Sequence, residues 1–143
     1  MDVRLTDEQQ MLQAVATTIA ADLAPSGIND LEADARLDRD RTRWSTLVDA
    51  DLVALHVPAL LGGSGAHVID AALVAEQLAG SLVPVPFVGS AVWVPALLAT
   101  AGATAAVEAT AAGHLRLAPV LRPDLCGLAI QGDPGVAFDP QGA

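Results

Sequence analysis

The sequence contains no lysine, and its seven basic residues are all arginines. Seventeen acidic residues oppose them, which gives a formal net charge of −10. Nucleic-acid binding depends on basic side chains that neutralise phosphates, so this balance argues against that class of function. A phosphate-binding loop of the G-x-x-x-x-G-K type is excluded as well, because it requires a lysine.

Cysteine is also scarce. Cys126 is the only one, so no internal disulfide can form and a reducing compartment is expected. We interpret Cys126 as a small buried hydrophobe. Residues 1–8 are acidic and polar and lack the basic and apolar segments of a signal peptide, which predicts a cytoplasmic protein. The three histidines, His56, His67 and His114, lack the spacing of metal ligands, so no metal is expected.

Charge is missing from the middle of the chain. Residues 1–51 hold eleven acids and five arginines, whereas residues 52–115 hold only Asp70, Glu76 and Glu108. The content of hydrophobic residues is 52% and the mean hydropathy is +0.46, which indicates a folded protein rather than a disordered one. A segment with three charges can hardly provide the solvated face of a free helical domain. We therefore predict that part of it is covered in a homo- or hetero-oligomer.

Residues 77–107 carry no charge at all and are long enough to cross a bilayer. Prolines and glycines interrupt this run and would leave backbone groups that lipid cannot satisfy. No basic residue flanks the run to set an orientation. A membrane span is therefore the weakest of the readings considered.

The hydrophobic pattern predicts a mainly α-helical bundle of about five or six helices, followed by two or three short β-strands. Thr6 to Gln9 has the form of a capping box, which opens a first helix that Pro25 ends. Residues 28–43 are interpreted as a solvated loop or a short exposed helix, and Trp44 starts a second short helix. Later helices are predicted over about 68–82, 88–101 and 103–112, and short strands within 115–121, 127–130 and 135–138.

Two local patterns leave questions for the structure. The apolar run 52–57 is ambiguous between a strand and a buried helix or loop. In the helix that begins near Val68, helical spacing places Glu76 on one face with Ile69 and Leu73, so we expect its carboxylate to point inward. A buried carboxylate would need hydrogen-bond partners.

No catalytic motif is recognised. The segment from Gly63 to Val68 begins like a dinucleotide-binding G-x-G-x-x-G, but Val68 replaces the third glycine. No acidic residue follows at the distance that ribose binding requires. No serine or threonine lies in a nucleophile-elbow sequence.

Several pieces, taken in order, identify a resemblance. They are Leu5–Gln9, Trp44–Leu52, Val57–Pro58 with Gly62–Gly63, Ala75–Leu78, and Ala112–Leu115. From about Leu5 to Leu121 their order resembles the N-terminal helical domain of the acyl-CoA dehydrogenases. The segment 82–87 looks like the heteromeric, steroid- and polyketide-associated branch of actinobacterial relatives.

The resemblance implies how a complete family member would work. Such enzymes bind FAD between a middle strand domain and a second helical domain, and a glutamate removes the α proton of an acyl-CoA thioester. The N-terminal helices wall the acyl pocket, so Phe87, Ser90, Val94 and Leu97 are candidate pocket residues. The alternative for these four residues is an ordinary place in the core.

Two departures from the family pattern stand out. Leu121-Arg122-Pro123 stands where the family usually has Thr-Glu-Pro, which puts flavin contacts from this segment in doubt. Asp51 occupies a position where a helix-ending glycine is common.

We therefore expect an acyl-CoA dehydrogenase-like helical domain over 1–114 and the incomplete start of a β domain over 115–143. The chain would form the acyl pocket of a FAD-dependent enzyme of lipid metabolism, and it would bind no flavin and show no activity alone. Further domains or a partner subunit would supply the flavin site and the base, a role that Glu76 is not expected to take. The alternative is a non-catalytic scaffold or interaction module derived from the same domain.

Overall fold

The computed structural model describes residues 4–27, 33–129 and 135–137, and this part of the chain is mainly helical. The prediction of helices followed by short strands is confirmed. Its elements are α1 (Asp7–Leu23), α2 (Ala33–Asp49), a 3₁₀ turn (Ala59–Leu61), α3 (Val68–Gly80), a π-helical segment (Val88–Trp93), α4 (Val94–Thr100), α5 (Thr104–Ala111), β1 (Val120–Leu121) and β2 (Val136–Ala137).

The chain divides into two compact units. The first unit comprises Met1–Leu52 and Ala66–Val85, and the second comprises Val53–Gly65 and Pro86–Ala143. Within the second unit, β1 pairs with β2 in antiparallel register, and an isolated antiparallel bridge joins Leu121 to Leu128. No helix in the described ranges is both long enough and apolar enough to cross a membrane.

The first unit is organised by α1 and α3, which pack against each other. The capping box predicted at the start of α1 is confirmed, since Thr6 and Gln9 exchange backbone-to-side-chain hydrogen bonds of 3.2 Å. Gln9 also donates to Asp70 at 2.9 Å, and Thr17 donates to Gln77 at 3.0 Å. Because both pairs advance in the same chain direction, the two helices run parallel.

The helix α2 is longer than the sequence suggested. The interpretation of residues 28–43 as a loop or short helix separate from a second helix at Trp44 was wrong for the described part, because one helix spans Ala33–Asp49. Arg43 is buried, and its Nε donates to the carbonyl of Leu23, the last residue of α1, at 3.1 Å.

Four helices end in the same way, with a residue in the left-handed conformation that closes a Schellman motif. At the end of α2, the amide of Asp51 donates to Val48 and the amide of Leu52 donates to Leu47. Two of the left-handed positions are filled by residues other than glycine. The four residues are Asp51, Leu82, Gly102 and Gly113.

The run 52–57 is a buried turn and not a strand. Leu52, Val53 and Val57 are buried, but their backbone makes turn hydrogen bonds, such as Val57 amide to Ala54 carbonyl at 3.1 Å. The glycine-rich segment then folds back on the run, and the amide of Gly65 donates to the Val57 carbonyl at 2.8 Å. The apolar composition of residues 52–57 is consistent with their burial, but composition could not distinguish a strand from a turn.

Replacing Asp51 with glycine is expected to stabilise the protein. Asp51 has φ of 57°, which costs a residue with a Cβ atom more than it costs glycine. We expect a gain of about 0.5–1 kcal/mol in the free energy of unfolding. Chemical denaturation followed by circular dichroism measures it. As a control, Asp49→Gly, at the last residue of α2, should lose up to about 1 kcal/mol, and a loss at both positions would contradict the account.

Candidate functional site

The candidate site is built on a helix that changes its winding at Pro95. A proline has no amide hydrogen to donate and its ring crowds the carbonyl four residues earlier. Just before it, the amide of Val94 donates to Gly89, five residues back, so the helix widens into a π-helical turn. Segments of this kind are frequent at functional sites.

The widened turn separates two faces of this helix. Phe87, Ser90 and Val94 are buried on one face. On the other face, Trp93 remains 46% exposed and Leu97 42% exposed. Trp93 and Leu97 are four residues apart, so the two exposed side chains lie on the same side of the helix.

Trp93 and Leu97 form one side of an open groove of about 400 Å³ in the second unit. This volume lies in the range of small-molecule sites, and among the residues that the structure describes no charged side chain lines the groove. The lining residues are Trp93, Ala96, Leu97, Leu121, Leu125, Cys126, Gly127 and Leu128.

The opposite side of the groove is a tight turn between Arg122 and Gly127. The Arg122 amide donates to the Gly127 carbonyl, and the Leu125 amide donates back to Arg122, both at 2.8 Å. Leu125 has φ of 59°, an uncommon value for a residue with a Cβ atom. The turn thereby holds Leu125 exposed on the rim of the groove.

Side-chain bonds fix the same turn. Arg122 and Asp124 form an ion pair of 3.0 Å, and the other carboxylate oxygen of Asp124 accepts from the Cys126 amide at 3.0 Å. Cys126 is exposed, so the prediction of a buried cysteine was wrong. The hydrogen bond from the Cys126 amide to the Asp124 carboxylate fixes the position of Cys126 in the turn, and burial in a core does not.

The structure places the four predicted pocket residues on different faces. Leu97 lines the groove, whereas Phe87, Ser90 and Val94 lie on the buried face of the same helix. Trp93 lines the groove beside Leu97 but was not among the predicted residues. The sequence signal for the π-helical turn was Pro95, which lies inside the predicted helix.

Ser90 is the unusual member of the buried face. It is 2% exposed, and its hydroxyl has no hydrogen-bond partner among the described residues. A buried polar group without a partner is destabilising. The hydroxyl of Thr110, equally buried, donates to the Val107 carbonyl at 2.7 Å and provides a matched comparison.

Ser90→Ala is therefore expected to raise the free energy of unfolding by about 1 kcal/mol, because it removes an unsatisfied hydroxyl. Thr110→Val, which removes a satisfied hydroxyl, should lower it by about 1 kcal/mol. Chemical denaturation of the two variants beside the parent protein gives both values. Equal losses at the two positions would show that Ser90 has a partner in solution.

Other sequence expectations are settled outside the groove. Glu76 is exposed, so the prediction that its carboxylate points inward was wrong. Of the residues predicted to share its face, Leu73 is buried and Ile69 is exposed; the buried residues of α3 are Ala71, Leu73, Val74 and Leu78. At the start of α3, the carboxylate of Asp70 accepts from the amide of His67, the residue before the helix, at 2.9 Å. Across the residues with described positions, no group of histidine, cysteine and carboxylate side chains could hold a metal ion.

The chain is similar in sequence to proteins of known family. Residues 6–114 match the family model "Acyl-CoA dehydrogenase, N-terminal domain". The chain is 36% identical over 121 residues to acyl-CoA dehydrogenase IpdE2 of Mycobacterium tuberculosis, an alignment that covers 82% of this chain and 38% of the relative. It is 31% identical over 111 residues to IpdE2 of Mycolicibacterium smegmatis, covering 76% of this chain and 35% of the relative.

A solved structure shares the fold. The crystal structure of the ChsE4-ChsE5 complex from Mycobacterium tuberculosis matches with a TM-score of 0.67 and 23% sequence identity. The match covers 96% of this chain and 40% of the chain that it matches. The present chain thus spans about two-fifths of the length of these proteins.

Proposed function

The chain belongs to the acyl-CoA dehydrogenase family, and we propose that it forms one wall of the acyl pocket in an enzyme that dehydrogenates an acyl-CoA thioester between its α and β carbons. The observation that carries this proposal is the apolar groove between the Trp93 and Leu97 side of the helix and the turn at Leu125. The region 1–114 would act as the helical domain, and 115–143 as the start of a strand domain.

The chemistry of the groove suits an acyl chain. Each methylene group that leaves water for an apolar surface contributes about 0.8 kcal/mol, so the groove would bind an acyl tail through many small contributions. Trp93 offers a broad flat surface, and Leu97 and Leu128 fill the space beside it. Excluding water from the tail also strengthens polar interactions at the reacting carbons.

Three amides of the turn beside the groove are not free to bind a flavin. Flavin edges bind to free amide and hydroxyl donors, but the amides of Arg122, Leu125 and Cys126 already donate within the turn. The guanidinium of Arg122 is paired with Asp124. We therefore derive no flavin contact from this turn, and in our proposal FAD, which family members bind, is held by other parts of the assembly.

Abstraction of an α proton requires a positioned base. The groove has no carboxylate or histidine among its described lining residues. In our proposal the base, like the flavin, comes from further domains or from a partner subunit. The role of the present chain is to bind and orient the acyl group.

Co-expression tests this division of labour. The chain would be purified alone, together with the polypeptide encoded immediately downstream, and with other acyl-CoA dehydrogenase subunits of the source genome. We expect a colourless protein without acyl-CoA-dependent dye reduction in the first case, and both flavin absorbance and dye reduction with the completing polypeptide. A yellow, active preparation of the chain alone would contradict the proposal.

The misfit of the turn favours one alternative, a non-catalytic interaction module that has kept the helical scaffold. This alternative predicts a stable complex with a family member whose activity does not depend on the groove. Substitution of a lining residue in the co-purified complex separates the two, because only an acyl wall would change the kinetics.

A further inference from the structure

Leu125 combines a strained backbone with an exposed apolar side chain. Its φ is 59°, in a region that costs a residue with a Cβ atom more than it costs glycine. The side chain lines the groove and is 58% exposed, so burial in a core does little to offset this cost. Strained positions persist only where the surrounding structure imposes them, and they cluster at functional sites.

The turn around Leu125 imposes this conformation from both sides. Before it, the Arg122–Asp124 ion pair of 3.0 Å closes the first half of the turn, and the Arg122 carbonyl accepts from the Leu125 amide at 2.8 Å. After it, Cys126 donates to Asp124 twice, from its amide to the carboxylate at 3.0 Å and from its Sγ to the backbone carbonyl at 3.3 Å. Because both neighbours of Leu125 are anchored, the direction of its Cα–Cβ bond is fixed.

Leu82 shows the same strain at a position outside the groove. It has φ of 55° and is 75% exposed. It closes the Schellman motif at the end of α3, where the amide of Val83 donates to the Leu78 carbonyl at 2.9 Å. Leu82 is not among the described residues that line the groove. It is therefore a matched reference for Leu125.

We propose that Leu125 is a positioning residue for the acyl tail. The turn holds its side chain as a fixed lip of the groove, opposite the helix that carries Trp93 and Leu97, and the backbone strain is the consequence of that placement. An apolar side chain that is already in place binds a tail without first having to be ordered. The proposal rests on the acyl-wall role of the groove and adds the residue that holds the tail against the helix.

The proposal predicts opposite effects of one substitution on stability and on binding. Leu125→Gly should raise the midpoint of thermal unfolding by about 2–4 °C, because glycine relieves the strain, but it should weaken the binding of an apolar tail. Leu125→Ala keeps a Cβ atom on the strained backbone, so it should weaken binding without raising the midpoint. Leu82→Gly should raise the midpoint by a similar amount and leave binding unchanged.

The single cysteine of the sequence allows tail binding to be measured on the full chain. Cys126 lines the groove and is exposed, and no other thiol is present. N-ethylmaleimide and N-octylmaleimide react with a thiol in the same way, but the octyl tail can occupy the groove before the reaction and raise its rate. Mass spectrometry of the intact protein gives the octyl-to-ethyl ratio of rate constants, corrected by the same ratio for N-acetylcysteine. The ratio cancels any change in the reactivity of the thiol itself.

We expect a corrected ratio of about 10 for the wild type and for Leu82→Gly, because the added methylene groups leave water for the groove. For Leu125→Gly and Leu125→Ala we expect a ratio at least about threefold lower, since one side of the groove has lost its apolar lip.

Three results would overturn the proposal. They are Leu125 variants that keep the wild-type ratio, a Leu82→Gly variant that loses as much of the ratio as they do, and a Leu125→Gly variant whose unfolding midpoint does not rise. Each of them leaves the acyl-wall role of the groove intact. A wild-type ratio near 1 would overturn the acyl-wall role together with the proposal, so the two failures can be told apart.

Discussion

Gly63→Ala is expected to destabilise the protein by about 3 kcal/mol, one of the largest effects of any single methyl group in this chain. A Cβ atom at this position would overlap the carbonyl oxygen and the side chain of Val57. The backbone cannot move aside easily, because the Val57 carbonyl also accepts the Gly65 amide and the Gly63 amide donates to Pro58. The midpoint of urea denaturation, followed by circular dichroism, measures the loss.

Gly80→Ala provides the matched control. Gly80 is the last residue of α3, and a Cβ atom there would meet nothing within 4 Å. Alanine favours the helix over glycine, so this variant should be as stable as the parent or up to about 1 kcal/mol more stable. An unchanged midpoint for Gly63→Ala would mean that the segment 57–65 does not fold back as described.

Leu97→Glu is expected to lower kcat/KM of the completed enzyme by about a hundredfold with a long-chain acyl-CoA. The substitution places a carboxylate on the wall of an otherwise apolar groove, where an acyl tail would have to desolvate it. Leu97 is already partly exposed, so the fold should tolerate the change within about 1 kcal/mol. Steady-state kinetics with a series of acyl-CoA lengths measures the effect.

Chain length and a control variant make this test specific. If the tail lies in the groove, the penalty shrinks as the acyl chain shortens, because each missing methylene removes about 0.8 kcal/mol of apolar contact. Leu60→Glu, at a side chain that is 96% exposed and does not line the groove, should leave kcat/KM unchanged. Equal effects of the two variants, or no dependence on length, would contradict the acyl-wall role.

The sequence predicted those features of the fold that depend on neighbouring residues. The capping box of Thr6 and Gln9 needs only local side chains, and the structure confirms it. The family resemblance, rather than the neighbouring residues, pointed to Asp51 as the helix-ending position, and Asp51 does have a φ of 57°. Helix existence and the short strands of the C-terminal region were likewise visible from periodicity and from proline and glycine.

Features that depend on how the helices and turns pack against each other could not be predicted from the sequence. Spacing showed which residues of α3 share a face, but both faces are largely apolar, so hydropathy could not decide that Ala71 and Val74 are buried while Glu76 is exposed. The π-helical turn before Pro95 departs from the regular helix that the sequence pattern predicted. The position of Cys126 is set by its hydrogen bond to Asp124, and hydrophobicity gives no sign of such a bond.

Photolabelling of the completed enzyme tests the acyl-wall role most directly. An acyl-CoA analogue with a photoreactive group at the end of its tail would be bound, irradiated and mapped by fragment mass spectrometry. The account predicts adducts on Trp93, Ala96 or Leu97 that an excess of ordinary acyl-CoA prevents. Labelling confined to the completing subunit, or adducts on this chain that acyl-CoA does not displace, would contradict it.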